Sequence, residues 1–207
     1  MDKNVVIIGA GGHGKVIADI VRKNGDTVEC FLDDAYTGDT EFYGSKIIGK
    51  AEKHKELSDC YFIIAIGNNG IREKIADTLD CKWYTAVHPS AQISDSVKIG
   101  EGTCVMANAV INADTVVGKH AIVNTGSIIE HDCKIGDYCH ISPSATVCGV
   151  TALGKSVWVG AGATVRNVLT VCDNVTIGIG AAVVGNIDES GAYIGVPARK
   201  IEDNRAK

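Results

Sequence analysis

Glu130-His131-Asp132 is the segment of this 207-residue chain best suited to acid–base chemistry. An imidazole beside a carboxylate can accept a proton at one ring nitrogen while the acid orients the ring and stabilises its protonated form. The same trio is compatible with a solvated surface histidine, and the three residues alone leave both readings open. A second chemical group lies near the N-terminus, where Gly9-Ala10-Gly11-Gly12-His13-Gly14 fits G-x-G-x-x-G. Glycines at that spacing permit a tight turn and close backbone approach, and a helix behind them offers free N–H groups to phosphate. Asp33-Asp34 follows about twenty residues later, where an acid commonly meets a ribose hydroxyl. Gly67-Asn68-Asn69 closes a third apolar run. The plainer alternative is a tight glycine turn and two solvated aspartates.

The elements that must position these groups come in two kinds. Residues 5–8, 28–32 and 61–66 read as buried strands, separated by a helical pattern at Val16, Ile17, Ile20 and Val21 and followed by a helix starting near Ile71. That alternation predicts an α/β, half-Rossmann βαβαβ domain over residues 1–86, with all three polar strand ends on the ligand side of the sheet. One such half suits a mononucleotide-sized ligand better than NAD.

From Ile93 to Val183 every sixth residue is aliphatic, and the residue two before it is usually small or β-branched. This hexapeptide repeat predicts a solenoid over residues 87–207, with large and small side chains alternating into its interior. Glycines at 100, 118, 136 and 154 recur every three hexads, so each coil has three sides. Gly160 and Gly178 read as corner positions that need a positive φ. The eight cysteines form no C-x-x-C pair, and Cys133 and Cys139 occupy the small inward slot. They are expected to be reduced packing residues of a cytosolic protein. With 20 Lys and Arg against 25 Asp and Glu there is no basic surface, which argues against nucleic acid and anionic membrane as partners. The apolar run at the N-terminus is too short for a signal or membrane segment. His120, His131 and His140 lack a spacing that would aim two rings at one ion, so no metal is expected.

On the glycine loop, Asp33-Asp34, Gly67-Asn68-Asn69 and a hexapeptide prism holding Glu130-His131-Asp132, the chain resembles the bacterial sugar O-acyltransferases of the sialic acid O-acetyltransferase family. Within that group it is most similar to the UDP-amino-sugar N-acetyltransferases of bacillosamine synthesis. The likeness runs to the closing Tyr193-Ile194-Gly195-Val196-Pro197-Ala198-Arg199-Lys200. It implies a left-handed parallel β-helix, an exception to the right-handed crossover rule, assembled as a homotrimer with acetyl-CoA in the grooves between subunits. The implied reaction is acetyl transfer to the amino group of a UDP-linked amino-dideoxy sugar. His131, in Asn124-Thr125-Gly126-Ser127-Ile128-Ile129-Glu130-His131-Asp132, would be the base, supported by Asp132 or Glu130. The sugar nucleotide would meet Gly11, Gly12, His13, Asp33, Asp34 and Gly67, and acetyl-CoA would meet His140, Ala161 and Ile179. A sugar O-acetyltransferase and a non-catalytic nucleotide-sugar-binding regulator or scaffold are the alternatives. An NAD-linked oxidoreductase would need a second mononucleotide half that the solenoid does not supply.

Overall fold

The computed structural model describes residues 2–35 and 40–202. The first part contains β1 (Asn4–Ile8), α1 (Gly12–Lys23), β2 (Thr27–Leu32), β3 (Thr40–Phe42), β4 (Ser45–Ile47), β5 (Tyr61–Ile64), α2 (Asn69–Thr78) and β6 (Lys82–Trp83). They form one sheet in the order β3-β4-β2-β1-β5-β6, parallel except where β3 runs against β4. The central strand is covered on both faces, and Val5, Val6 and Ile7 are fully buried, which is why it reads as a continuous apolar run. Helix α1 buries Ile17, Ile20 and Val21, but Val16 of the expected face is exposed. Helix α2 begins two residues before Ile71, because the Asn68 side chain caps it by accepting from the Ile71 N–H at 3.0 Å.

From Ala86 the chain coils as a left-handed parallel β-helix of three stacked walls. Wall one starts at Ala86–Val87 and repeats at Cys104–Val105, Ile122–Val123, His140–Ile141 and Trp158–Val159; wall two starts at Gln92–Ile93 and wall three at Lys98–Ile99. As far as Val183 the strands pair in register with those eighteen residues on, as Val110–Ile111 does with Ile128–Ile129, and the spacing shortens to sixteen where Val175–Ile177 meets Gly191–Tyr193. Ile111, Ile129 and Val147 fill the interior, and Ala109, Ser127 and Ala145 alternate with them, all fully buried. Inward hydroxyls are satisfied at the corners: Thr103 donates to the Gly118 carbonyl and Thr115 to the Glu130 carbonyl, both at 2.8 Å.

The corner glycines are explained by space. A Cβ on Gly100 would lie 2.6 Å from the Gly118 carbonyl carbon, because coils touch backbone to backbone there. This corrects the expectation for Gly160 and Gly178, neither of which has a positive φ. A Cβ on Gly160 would lie 2.6 Å from the Ile177 carbonyl oxygen, and one on Gly178 2.7 Å from the Ile194 side chain. The positive φ angles fall two residues later, at Gly162 and Gly180.

The N-terminal sheet packs on wall one, where Cys104, Met106 and Ile122 share a core with Val5, Ile17 and Phe31. Trp83 meets His120 edge-on at 4.6 Å, and Tyr138 stacks on the same imidazole at 5.5 Å. At the far end, Gly191–Ile194 extends wall one and Arg199–Lys200 folds back against it. Among the described residues no helix is long and apolar enough to cross a membrane.

Candidate active site

The C-terminal ends of β1, β2 and β5 open into a cleft of about 550 Å³, lined by Gly11, Gly12, His13, Asp33, Asp34 and Gly67 among others. The four loop glycines divide their work. Gly9 holds a φ of +114°, and a Cβ on Gly14 would run into the Gly9 carbonyl, so these two shape the turn. Gly11 and Gly12 face open space with no atom within 4 Å of a Cβ. Asp33 accepts from the Ala10 N–H at 2.7 Å and the Ala35 N–H at 2.9 Å, while Asp34 accepts from the Ala51 N–H at 3.0 Å. Both carboxylates thus tie backbone N–H groups of the rim, Asp33 half-buried and Asp34 exposed.

Beneath the rim lie two neutral imidazoles. Burial first, then His140 and Arg72, lowers the His13 pKa to about 4; burial and then Arg72 lowers that of His140 to about 4. His13 Nε2 is buried without a hydrogen-bond partner, and His140 Nδ1 is buried with no well-aligned bond, its nearest acceptor being the Gly67 backbone, which opposes the lowering of its pKa. The tautomer of His140 follows from its neighbour. Asn124 Oδ1 accepts from the Thr125 N–H at 2.8 Å, so its amide nitrogen faces His140 Nε2 at 3.1 Å and leaves the ring proton on Nδ1. His140 stacks on Trp158 with centroids 5.7 Å apart, and its Cε1 lies 3.9 Å from where a Gly67 Cβ would sit. It is thus nine-tenths buried under the cleft edge. Ala161 and Ile179 lie elsewhere, stacked on the outer corner between walls one and two, where the Gly180 N–H donates to the Ala161 carbonyl at 2.9 Å and Ile179 is largely exposed. The trio named from the resemblance is split between a buried wall and an open corner.

His131 stands on the turn from wall two to wall three. Its Nδ1 is 2.8 Å from Asp132 Oδ2, and both side chains are more than half exposed. Glu130 is engaged elsewhere, accepting from Asn112 Nδ2 at 2.9 Å on the coil below. Of the two acids left open by the sequence, Asp132 is therefore the one that touches the ring. The imidazole rests on Gly149 of the next coil, where a Cβ would lie 2.9 Å from both Cε1 and Nε2. Gly149 has no positive φ, so the ring, not the backbone, needs the glycine. Sequence reasoning passed over Gly149, although the eighteen-residue coil period leads straight to it from His131. It also passed over Arg72, for which no periodic signal exists. Among the described residues no three His, Cys, Asp or Glu side chains converge as a metal site.

Comparison with known proteins covers both halves. Residues 4–79 match the family described as PglD N-terminal domain, and residues 114–149 match bacterial transferase hexapeptide (six repeats). UDP-N-acetylbacillosamine N-acetyltransferase of Bacillus subtilis (strain 168) is 40% identical over 108 residues, which is 49% of this chain and 50% of that protein. The match thus spans about half the length of this curated relative. PerB from Caulobacter crescentus, solved in complex with CoA and GDP-perosamine, superposes with a TM-score of 0.91 at 35% identity, covering 96% of this chain and 97% of that one. The acetyltransferase domain of PglB from Neisseria gonorrhoeae FA1090, solved in complex with acetyl coenzyme A, gives 0.91 at 38% identity over 97% and 100%.

Proposed function

The chain belongs to the hexapeptide-repeat sugar N-acetyltransferases, as its likeness over 97% of its length to perosamine N-acetyltransferase from Caulobacter crescentus shows, and on that premise we propose that it moves the acetyl group of acetyl-CoA to the amino group of a UDP-linked amino-dideoxy sugar. The observation that carries this reading is a nucleotide-sized cleft on the same chain as a solvent-facing imidazole whose Nδ1 is committed to an acid. With Asp132 accepting the Nδ1 proton, Nε2 keeps its lone pair and acts as the base. The sugar amine attacks the thioester carbonyl as His131 Nε2 takes its proton. The tetrahedral intermediate then collapses, breaking the carbon–sulfur bond, and the imidazolium returns the proton to the departing thiolate. An amide and free CoA result, with no acetyl-enzyme. The Gly149 N–H, beside the ring and without a protein acceptor among the described residues, is suited to hold the oxyanion.

A trimer completes the site. The N-terminal domain covers wall one, whereas His131 stands on the corner between walls two and three, the corner opposite that wall. No residue of that corner lines the cleft, which supports a site shared between neighbouring copies. The eight unpaired cysteines suit a reducing, cytosolic compartment.

Thiol release from acetyl-CoA on addition of a UDP-4-amino sugar tests the reading. The GDP-linked amino sugar and the hydroxyl analogue are run beside it, with NADH binding as control. Release with the amine and not the hydroxyl is expected. Release with the hydroxyl alone would make this an O-acetyltransferase, and binding without release would make it a nucleotide-sugar-binding regulator.

A further inference from the structure

Arg72, on the first turns of α2, is 1% exposed and makes no ion pair with any described carboxylate. Its guanidinium is consumed by six oxygens, three from each domain. On the N-terminal side it donates to the Ile66 carbonyl at 2.9 Å, the Gly67 carbonyl at 3.2 Å and Asn69 Oδ1 at 2.9 Å. On the β-helix side it donates to the carbonyls of His120 and Tyr138, both at 2.7 Å, and of Cys139 at 3.4 Å. Ile66 and Gly67 line the cleft, and Cys139 immediately precedes His140. One planar group therefore ties the rim of the cleft to the strand that bears the buried imidazole. Burying a cation without an acid is costly, and an apolar side chain would join two domains more cheaply. What an apolar side chain lacks is a rigid fork that fixes several carbonyls at once and a positive charge beneath the cleft.

We propose that Arg72 is a positioning residue for the sugar nucleotide: it fixes the Ile66–Gly67 rim against the β-helix, and its unpaired charge favours a diphosphate-bearing ligand in the cleft above. This rests on the nucleotide-sugar reading. Arg72→Met should raise the KM for the sugar nucleotide, and the calorimetric Kd for UDP or GDP, by roughly tenfold or more, while the acetyl-CoA KM stays within about twofold. Arg72→Lys keeps the charge without the fork and should recover part of that loss. Asn69→Ala removes one acceptor and the bond from Asn69 Nδ2 to the Ser156 carbonyl; it should raise the same KM by about threefold. A purely structural role would lower the melting temperature and the active fraction yet leave both KM values of the surviving enzyme unchanged. Folded Arg72→Met with an unaltered sugar-nucleotide KM, or with equal rises in both KM values, overturns the proposal. If the Arg72 variants do not fold, Asn69→Ala decides it, and an unchanged nucleotide KM refutes it. A wild-type protein that binds UDP or GDP but transfers no acetyl group refutes the enzymatic reading alone, with Arg72 then judged on Kd. One that binds neither nucleotide overturns both.

Discussion

His131 is placed by three short-range facts: the adjacent Asp132, the absence of a side chain at Gly149 and the hydrogen bond that keeps Glu130 on Asn112. If it takes the proton during attack, His131→Ala should lower kcat by about two to four decades with both KM values nearly unchanged. Steady-state kinetics at saturating substrates would expose a structural role as near-full kcat. Gly149→Ala is the sharper probe, because its backbone conformation accepts alanine and only the imidazole objects. The variant should melt close to the parent and lose about one to two decades of kcat, as expected when a base is displaced by less than a hydrogen-bond length. Full activity in that variant would mean that the ring can move without consequence.

In the elements, strand ends and coil corners hold the groups on which the proposed specificity rests. Asp34 spans β2 and the segment beginning at Ala51, so its carboxylate both holds the rim and faces the cleft. Asp34→Ala should raise the sugar-nucleotide KM and leave that of acetyl-CoA nearly unchanged; parallel rises would move the nucleotide site elsewhere. The glycine corners make a prediction of the opposite kind, about stability alone. A Cβ on Gly136 would lie 2.6 Å from the Gly154 carbonyl carbon, and such overpacking against backbone typically costs ~1–3 kcal/mol. Gly136→Ala should therefore lower the denaturation midpoint measurably, whereas a merely permissive surface turn would show no change.

Across the whole molecule, the apolar junction of the two domains is flanked by three histidines, each with a buried ring nitrogen. His13, His120 and His140 are each held below the ordinary 6.5, at about 4, chiefly by burial. The sign follows from linkage: between about 6.5 and 4 the unfolded chain takes up protons that the folded chain refuses, so stability is intact above that window and lost as pH falls through it. Unfolding midpoints should drop steadily from pH 7 to 4.5, and a His13→Gln, His140→Gln double variant should show a shallower drop. An identical slope in the two proteins would remove these rings from the account. Sedimentation tests the assembly, since a stable and active monomer would contradict a site shared between copies.

Short-range rules that need only one chain direction were legible beforehand. The period of six gave the inward ladder, the period of eighteen gave three walls, and the glycine loop with Asp33-Asp34 and Gly67 gave a set of residues that the fold does bring to one cleft. The hairpin of β3 and β4 and the two-residue β6 carry too few residues for a periodic signal. Gly160 and Gly178 were misread because a required glycine looks the same in sequence whether its φ or its neighbour demands it. The contact of His131 with Asp132 and not Glu130, the burial of His140 apart from the exposed Ile179, and the hydrogen bonds of Arg72 to both domains are visible only in three dimensions. Each depends on which residue of another coil or domain lies within hydrogen-bond reach, and that distance is fixed by the stacking of coils and the docking of the sheet on wall one.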